Sequence, residues 1–162
     1  MYDVVSLGIL VADAIAKPVT ALPEKGKLDL CDSIGLYTGG NAATCAINVS
    51  KLGLKGAVLG MIGDDGFGRF MASELEAMGV ATEGLSVTKE KGTSASLVLV
   101  SPDGERSFIH CTGANGIFRE KDANYDVVAQ TNIVFVTGGL LLPSFDGEDC
   151  ALFLKKCKEM GK

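Results

Sequence analysis

The chain has 162 residues, enough for one ordinary domain with a single core. Val, Ile, Leu, Ala and Gly are abundant, Pro is scarce and charges are dispersed, which excludes a disordered or low-complexity chain. A formal charge of −5 without any basic stripe argues against a nucleic-acid partner, because phosphate neutralisation needs clustered Lys and Arg.

The N-terminus, Met1-Tyr2-Asp3-Val4-Val5, has no basic region leading into a long apolar core. No apolar run approaches the ~20 residues needed to span a bilayer, so no membrane partner is expected and the protein is read as cytoplasmic. Cys31, Cys45, Cys111, Cys150 and Cys157 are odd in number and contain no Cys-x-x-Cys pair, so they read as reduced and mostly buried small hydrophobes. His110 is the only histidine, which leaves little from which to build a metal site or a Ser/His/Asp triad; it is expected as a polar residue on a strand face.

In chain order, Val4–Leu7 reads as the first strand. About thirty residues separate it from the first helix, against ~2–6 for an ordinary βα loop, so this segment needs structure of its own. Leu28 and Leu30, then Ile34 and Leu36, alternate with polar residues and suggest two strands near a Gly-containing turn. Ala42, Cys45, Ala46, Val49 and Leu52 share one helical face, with Asn41 placed to cap the start and Gly53 to end it. Ala57–Ile62 is the second strand. The stripe Phe67, Met71, Leu75 and Met78 follows, closed by Gly79, with Asp64 and Asp65 read as capping acids and Glu74 and Glu76 as a solvated face.

Ser94–Val100 and Glu105–Cys111 flank Pro102-Asp103-Gly104, a hairpin signal in which Pro sets φ, Asp favours the turn and Gly accepts positive φ. Ile133–Val136 is the third apolar strand. Cys150, Phe153, Leu154, Cys157 and Met160 then line one helix face behind Asp146, with Glu148 and Asp149 in the first turn and Lys155, Lys156 and Lys158 towards the last, an order that suits the helix dipole. The three apolar strands read as buried on both faces, and their alternation with helices predicts a right-handed α/β layer fold. The remaining strands predict a small antiparallel sheet standing off the layer, the geometry of a lid over a cleft.

Thr38-Gly39-Gly40-Asn41-Ala42-Ala43-Thr44 carries the most chemical information. Paired glycines at a helix start let a ligand approach the backbone, whose free N–H groups donate to hydroxyl or anionic oxygens. The same pair serves equally as a tight helix entry with no ligand.

Gly39-Gly40-Asn41-Ala42-Ala43-Thr44-Cys45-Ala46, continuing to Lys51-Leu52-Gly53, resembles the N-terminal signature of the PfkB, or ribokinase-like, carbohydrate kinases. Gly60-Met61-Ile62-Gly63-Asp64-Asp65-Gly66-Phe67-Gly68 is similar to the family's next block. Gly92-Thr93, the Pro102–Arg106 hairpin and Gly113-Ala114-Asn115 resemble its lid strand and return.

The resemblance implies a Rossmann-like parallel sheet flanked by helices, ribokinase-like but incomplete, with a small antiparallel β-sheet lid. Residues 1–162 would be the N-terminal part of one such domain, with lid segments at about 14–38 and 92–112. Asp13 matches the family's sugar-contacting carboxylate, Gly39, Gly40 and Asn41 its sugar-binding wall, Ser96 and Val98 its lid contacts, and Gly139 the end of the third strand. Thr44 stands where the family usually has Asn, so the hydroxyl pattern read there would differ. The implied activity is ATP-dependent phosphorylation of a hydroxyl on a small sugar or nucleoside. ATP and Mg2+ are expected for the full-length protein and for none of this segment alone, and a homodimer through the lid strands is an expected assembly.

The family's catalytic base lies in an Asp-Thr-x-Gly-Ala-Gly-Asp turn of its C-terminal half. This sequence contains no such turn and no Walker-type Gly-x-x-x-x-Gly-Lys-Ser/Thr. The chain is therefore expected to be a fragment with no catalytic residue and no metal site of its own. A non-catalytic ligand-binding or dimerisation module is the alternative. A dinucleotide-binding domain needs Gly-x-Gly-x-x-Gly after the first strand, and Gly8-Ile9-Leu10-Val11-Ala12-Asp13 has only the first glycine.

Overall fold

The computed structural model describes residues 1–162. The chain runs β1 (Val4–Leu7), β2 (Val11–Lys17), β3 (Ser33–Gly39), α1 (Asn41–Lys51), β4 (Gly56–Gly63), α2 (Gly66–Ala77), β5 (Leu85–Thr88), β6 (Ala95–Val100), β7 (Arg106–Cys111), α3 (Tyr125–Ala129), β8 (Val134–Val136) and α4 (Glu148–Glu159). Short 3-10 turns lie at Gly113–Gly116 and Glu120–Asp122.

The apolar strands form a four-stranded parallel sheet in the order β5-β4-β1-β8. Every residue of β4 is buried, as its unbroken apolar sequence requires of a strand covered on both faces. One face packs against α1 and α2 through Val58, Ala43, Ala46, Ile47, Met71 and Leu75. The other packs Val5, Leu7 and Leu59 under Phe118, Val128, Phe145 and Phe153. Strand β8 departs from the expectation of burial on both faces: it is an edge strand, and Phe135 is 45% exposed. No helix is long and apolar enough to cross a membrane.

The helices follow their periodicity with corrections at the ends. The buried face of α1 is Ala42, Ala43, Ala46 and Ile47, while Leu52 lies past the last turn and is exposed. Asn41 is not the cap; Gly40 is, because only glycine accepts the φ of +91° at that entry. Asp65 does cap α2, accepting from the Gly68 N–H at 2.7 Å. Asp146 precedes α4 without capping it and instead accepts from the Leu142 N–H at 2.9 Å, and Leu154 faces outward. Only Cys157 of the five cysteines is buried, and Cys111 is exposed, so the expectation of mostly buried thiols is corrected.

Glu120 anchors α4. Its carboxylate accepts from Lys156 Nζ at 2.6 Å and from the Tyr125 hydroxyl at 2.5 Å, while its N–H donates to Asp149 at 3.0 Å. The Lys156 and Tyr125 hydrogen bonds hold Glu120 below the ordinary carboxylate range against its burial.

The second sheet has the order β3-β2-β6-β7. Pairs β2–β3 and β6–β7 are antiparallel, but β2–β6 is parallel, so the sheet is mixed. Both β2 and β6 leave the body in the same direction, one directly after β1 and the other after the β4–β5 layer, and they pair as they emerge. Gly104 takes a φ of +89° in the hairpin, as the Pro-Asp-Gly signal requires. The strand expected around Leu28 and Leu30 does not form; these residues are 78% and 90% exposed, and β3 pairs with Val11–Lys17 instead. Pro18, Pro23 and Gly26 interrupt the intervening segment, and proline cannot donate to a ladder.

Candidate functional site

The C-terminal end of β1 meets the start of α1. Ile9 O accepts from the Ala42 N–H at 3.3 Å, satisfying one of the helix's unpaired donors. A side chain at Gly40 would run into that same Ile9 carbonyl, so glycine is required here by space as well as by φ. Asn115, which is 1% exposed, grips the next residue from both sides: its Nδ2 donates to Leu10 O at 2.9 Å and its Oδ1 accepts from Leu10 N–H at 3.3 Å. These contacts fix the turn that launches β2 and therefore the position of Asp13.

The Asp13 carboxylate lies over Gly39, filling the space that a side chain at that position would need. Register sets Asp13 opposite Tyr37 on β3 and opposite Ser96 on β6, and sets Ser96 opposite His110 on β7. Asp13, Ser96 and His110 therefore form a row across one face of the second sheet. Ser96 is buried, with its Oγ 3.1 Å from His110 Nδ1, and Val98 is buried two residues further along β6.

Gly138, just past β8 with a φ of +74°, closes the arrangement from the body side. A Cβ there would stand 3.4 Å from Asn41 Nδ2 and 3.7 Å from Ile9 Cγ1. Asp13, Gly39, Gly40, Asn41 and Ser96 thus gather where β1, β2 and α1 meet. Gly139 adjoins Gly138 with open space where a built Cβ would stand, and Thr44 is exposed on α1, its N–H donating to Gly40 O at 3.0 Å.

A cavity of about 250 Å³ lies between the second sheet and the segment after β8, lined by Ile9, His110, Thr112, Asn115, Leu140, Leu141 and Pro143. Ile9 joins it to the glycine wall, although Asp13, Gly39, Gly40 and Asn41 do not themselves line it. A larger concavity of about 490 Å³ sits elsewhere, between Ala16, Leu99 and the 18–31 segment, away from these groups.

Asp65 and Thr93 tie the body to the root of β6. Asp65 accepts from the Gly68 N–H, the Thr93 N–H and the Thr93 hydroxyl, each at 2.7 Å, and Thr93 Oγ1 accepts from the Gly63 N–H at 2.9 Å. Burial pushes the Asp65 carboxyl up, but these three donors and the nearby Arg69 outweigh it and hold it below its ordinary value of 3.8.

Ile9, Thr93, His110 and Asn115 stand out only in three dimensions. Thr93 and Asn115 belong to the short blocks Gly92-Thr93 and Gly113-Ala114-Asn115, so their positions were marked while their roles were not. His110 carried one signal, that it is the sole histidine, and Ile9 carried none.

The pattern of the pfkB family carbohydrate kinases matches residues 1–162. Fructokinase-2 of Solanum lycopersicum is 30% identical over 163 aligned residues, covering 98% of this chain and 46% of that protein. A fructokinase of Vibrio alginolyticus is 46% identical over 70 residues, covering 43% of this chain and 23% of its own length. The solved structure of Arabidopsis thaliana ribokinase complexed with ribose and ATP superposes with a TM-score of 0.78 at 23% identity, over 99% of this chain and 51% of that one. The chain spans less than half the length of the curated relatives it matches. With the whole chain matched by one family pattern and the α/β fold shared, this protein belongs to the pfkB family of carbohydrate kinases.

Proposed function

We propose that this chain is the acceptor-binding part of a cytoplasmic ATP-dependent kinase that phosphorylates a hydroxyl of a small sugar or nucleoside. The observation that carries the reading is the Asp13 carboxylate lying over Gly39, beside the helix start at Gly40 and Asn41. A carboxylate there can accept hydrogen bonds from two neighbouring hydroxyls, and backbone N–H groups at a helix start donate to hydroxyl oxygens. In this reading the second sheet is the lid, built from segments at about 14–38 and 92–112, and Ser96 and Val98 face the sugar from it. Thr44 and Gly139 would contribute at the rim as the acceptor seats.

Phosphoryl transfer also needs a base against the attacking hydroxyl and groups that neutralise the phosphates. The sequence has no Asp-Thr-x-Gly-Ala-Gly-Asp turn to supply either. No three of the chain's His, Cys, Asp and Glu side chains gather into a metal site of their own, and Mg2+ would be held where the phosphates bind. The base, the ATP site and the Mg2+ of the full-length protein would lie in further sequence. The purified 162-residue chain is therefore expected to bind sugar weakly and to transfer no phosphate from labelled ATP to fructose or ribose. ATP-dependent product formation by this chain would overturn the division of labour.

A second reading, assembly through the same sheet, is favoured by its other face. There Leu36 and Leu97 stand opposite Ala14, and Ile109 stands opposite Leu97, all three large side chains being exposed. Aligned exposed apolar residues of this kind mark an interaction surface, and we take the occupant to be a second copy. Sedimentation equilibrium should then find a dimer that Leu97→Asp converts to monomer without altering sugar affinity; a monomeric parent chain would dismiss the reading.

A further inference from the structure

We propose that a separate cavity at the β5 edge of the parallel sheet binds a phosphorylated polyol, with Arg119 and Lys121 taking the phosphate and Glu90 and Asp122 taking hydroxyls. The inference stands independently of the acceptor-site reading of Asp13 and the glycine wall.

The cavity measures about 450 Å³, within the ~300–1,000 Å³ of small-molecule sites. Met61 of β4 and Ser86 and Thr88 of β5 place it towards the C-terminal ends of two paired parallel strands, the end at which α/β sheets bind ligands. Its lining is braced between distant segments: Ser86 Oγ donates to Asp122 O at 2.7 Å, and Ser144 Oγ donates to Gly116 O at 2.7 Å. Ile117 and Ser144 line this cavity, whereas Asn115 and Pro143, close to them in the chain, line the one at Ile9. The two cavities are therefore adjacent but have separate linings, and none of Asp13, Gly39, Gly40 and Asn41 belongs to this one.

The polar groups sort into donors and acceptors. Arg119 and Lys121 take part in none of the chain's four ion pairs, although Glu90 and Asp122 line the same cavity. Thr88 Oγ1 accepts from the Glu90 N–H at 3.1 Å and keeps its own proton to donate. Asp122 accepts from the Arg119 N–H at 2.9 Å with one carboxylate oxygen and keeps the other, while Ser86 and Ser144 have spent their protons and keep lone pairs.

A bare phosphate would satisfy the cations and the Thr88 hydroxyl but would meet two carboxylates of its own sign. A neutral sugar would leave both cations unanswered, and a nucleotide base would find no aromatic ring to stack on. A phosphomonoester on a polyol meets every group: its charge of about −1.5 to −2 near neutral pH matches Arg119 and Lys121, and its hydroxyls donate to Glu90, Asp122 and the serine oxygens.

Titration of the 162-residue chain with D-fructose 6-phosphate, followed by NMR, reads the backbone amides of Ser86, Thr88 and Lys121 at this cavity and of Gly39 and Gly40 at the glycine wall. D-Fructose and inorganic phosphate are titrated alongside. Saturable shifts at the cavity amides, with the sugar phosphate bound about tenfold more tightly than inorganic phosphate, support the proposal. Arg119→Ala and Lys121→Ala should each weaken that binding about tenfold, and because both side chains are exposed and unpaired their thermal melts should match the parent. Glu90→Gln separates the roles: it should weaken the sugar phosphate and strengthen inorganic phosphate, whereas a site reading charge alone would gain affinity for both. Equal affinity for the two ligands, or cavity amides that stay silent, overturns the proposal whatever Gly39 and Gly40 do. Silence of those two glycines towards D-fructose counts instead against the acceptor reading and leaves this site standing.

Discussion

Asp13→Ala is expected to weaken sugar binding by roughly 100-fold, the loss of two hydrogen bonds to a charged acceptor. The carboxylate is partly buried over Gly39, and none of the four ion pairs in the chain engages it. Removing it therefore leaves the strand ladder on both sides unchanged, and the fold should survive. Asp13→Asn keeps the shape but replaces one acceptor with a donor, so about a tenfold loss is expected. Isothermal titration with fructose and ribose, paired with a thermal melt for each variant, measures both quantities. Unaltered affinity in Asp13→Ala would remove the carboxylate from the site and favour a module that serves assembly alone.

Asp65→Ala carries the largest expected effect on stability, about 2–4 kcal/mol, or a fall in Tm of roughly 5–15 °C. The carboxylate satisfies three donors at once, and alanine would leave the N–H groups of Gly68 and Thr93 without their acceptor at the junction of β4, α2 and β6. The pH dependence has a definite sign. Because the folded carboxyl titrates below its ordinary value of 3.8, its contribution is fully present above that value and is lost as pH falls through the lower, folded one. The gap in Tm between the parent chain and Asp65→Ala should accordingly be constant above about pH 5 and narrow below about pH 4. A gap that widens on acidification would mean that Asp65 is not held in its ionised form by these donors. Since Thr93 roots β6, local opening of the second sheet should increase in the variant, which amide exchange at Ser96 and Val98 would register.

What could be read from residues alone was the part of the fold that local chemistry governs. The apolar run at Ala57–Ile62 is the fully buried β4, the Pro-Asp-Gly hairpin turns at Gly104, and the glycines chosen to end two helices, Gly53 and Gly79, have φ of +83° and +77°. Misreadings came where pairing partners compete. Leu28 and Leu30 alternate as a strand would, yet Val11–Lys17 takes the place beside β3 because it emerges directly from β1 and its first residues are buried against α1 and α2. Asn41 has a good capping side chain, but the approach of Ile9 O leaves room only for a bare backbone at the cap position. The sheet reads as antiparallel from its hairpin, while the long-range β2–β6 pair, which no turn encodes, is parallel.

By itself, the sequence determined the alternation of strands and helices, the paired glycines before α1 and the presence of one carboxylate shortly after the first strand, because turn preference, periodicity and capping act within a few residues. Only the tertiary structure decided that Asp13 lies over Gly39, that Asn115 reaches back 105 residues to hold Leu10, and that Ser96 and His110 share a row with Asp13. Those contacts depend on strand register and on the packing of distant segments, and a shift of a single residue in β2 would have turned the carboxylate to the opposite face.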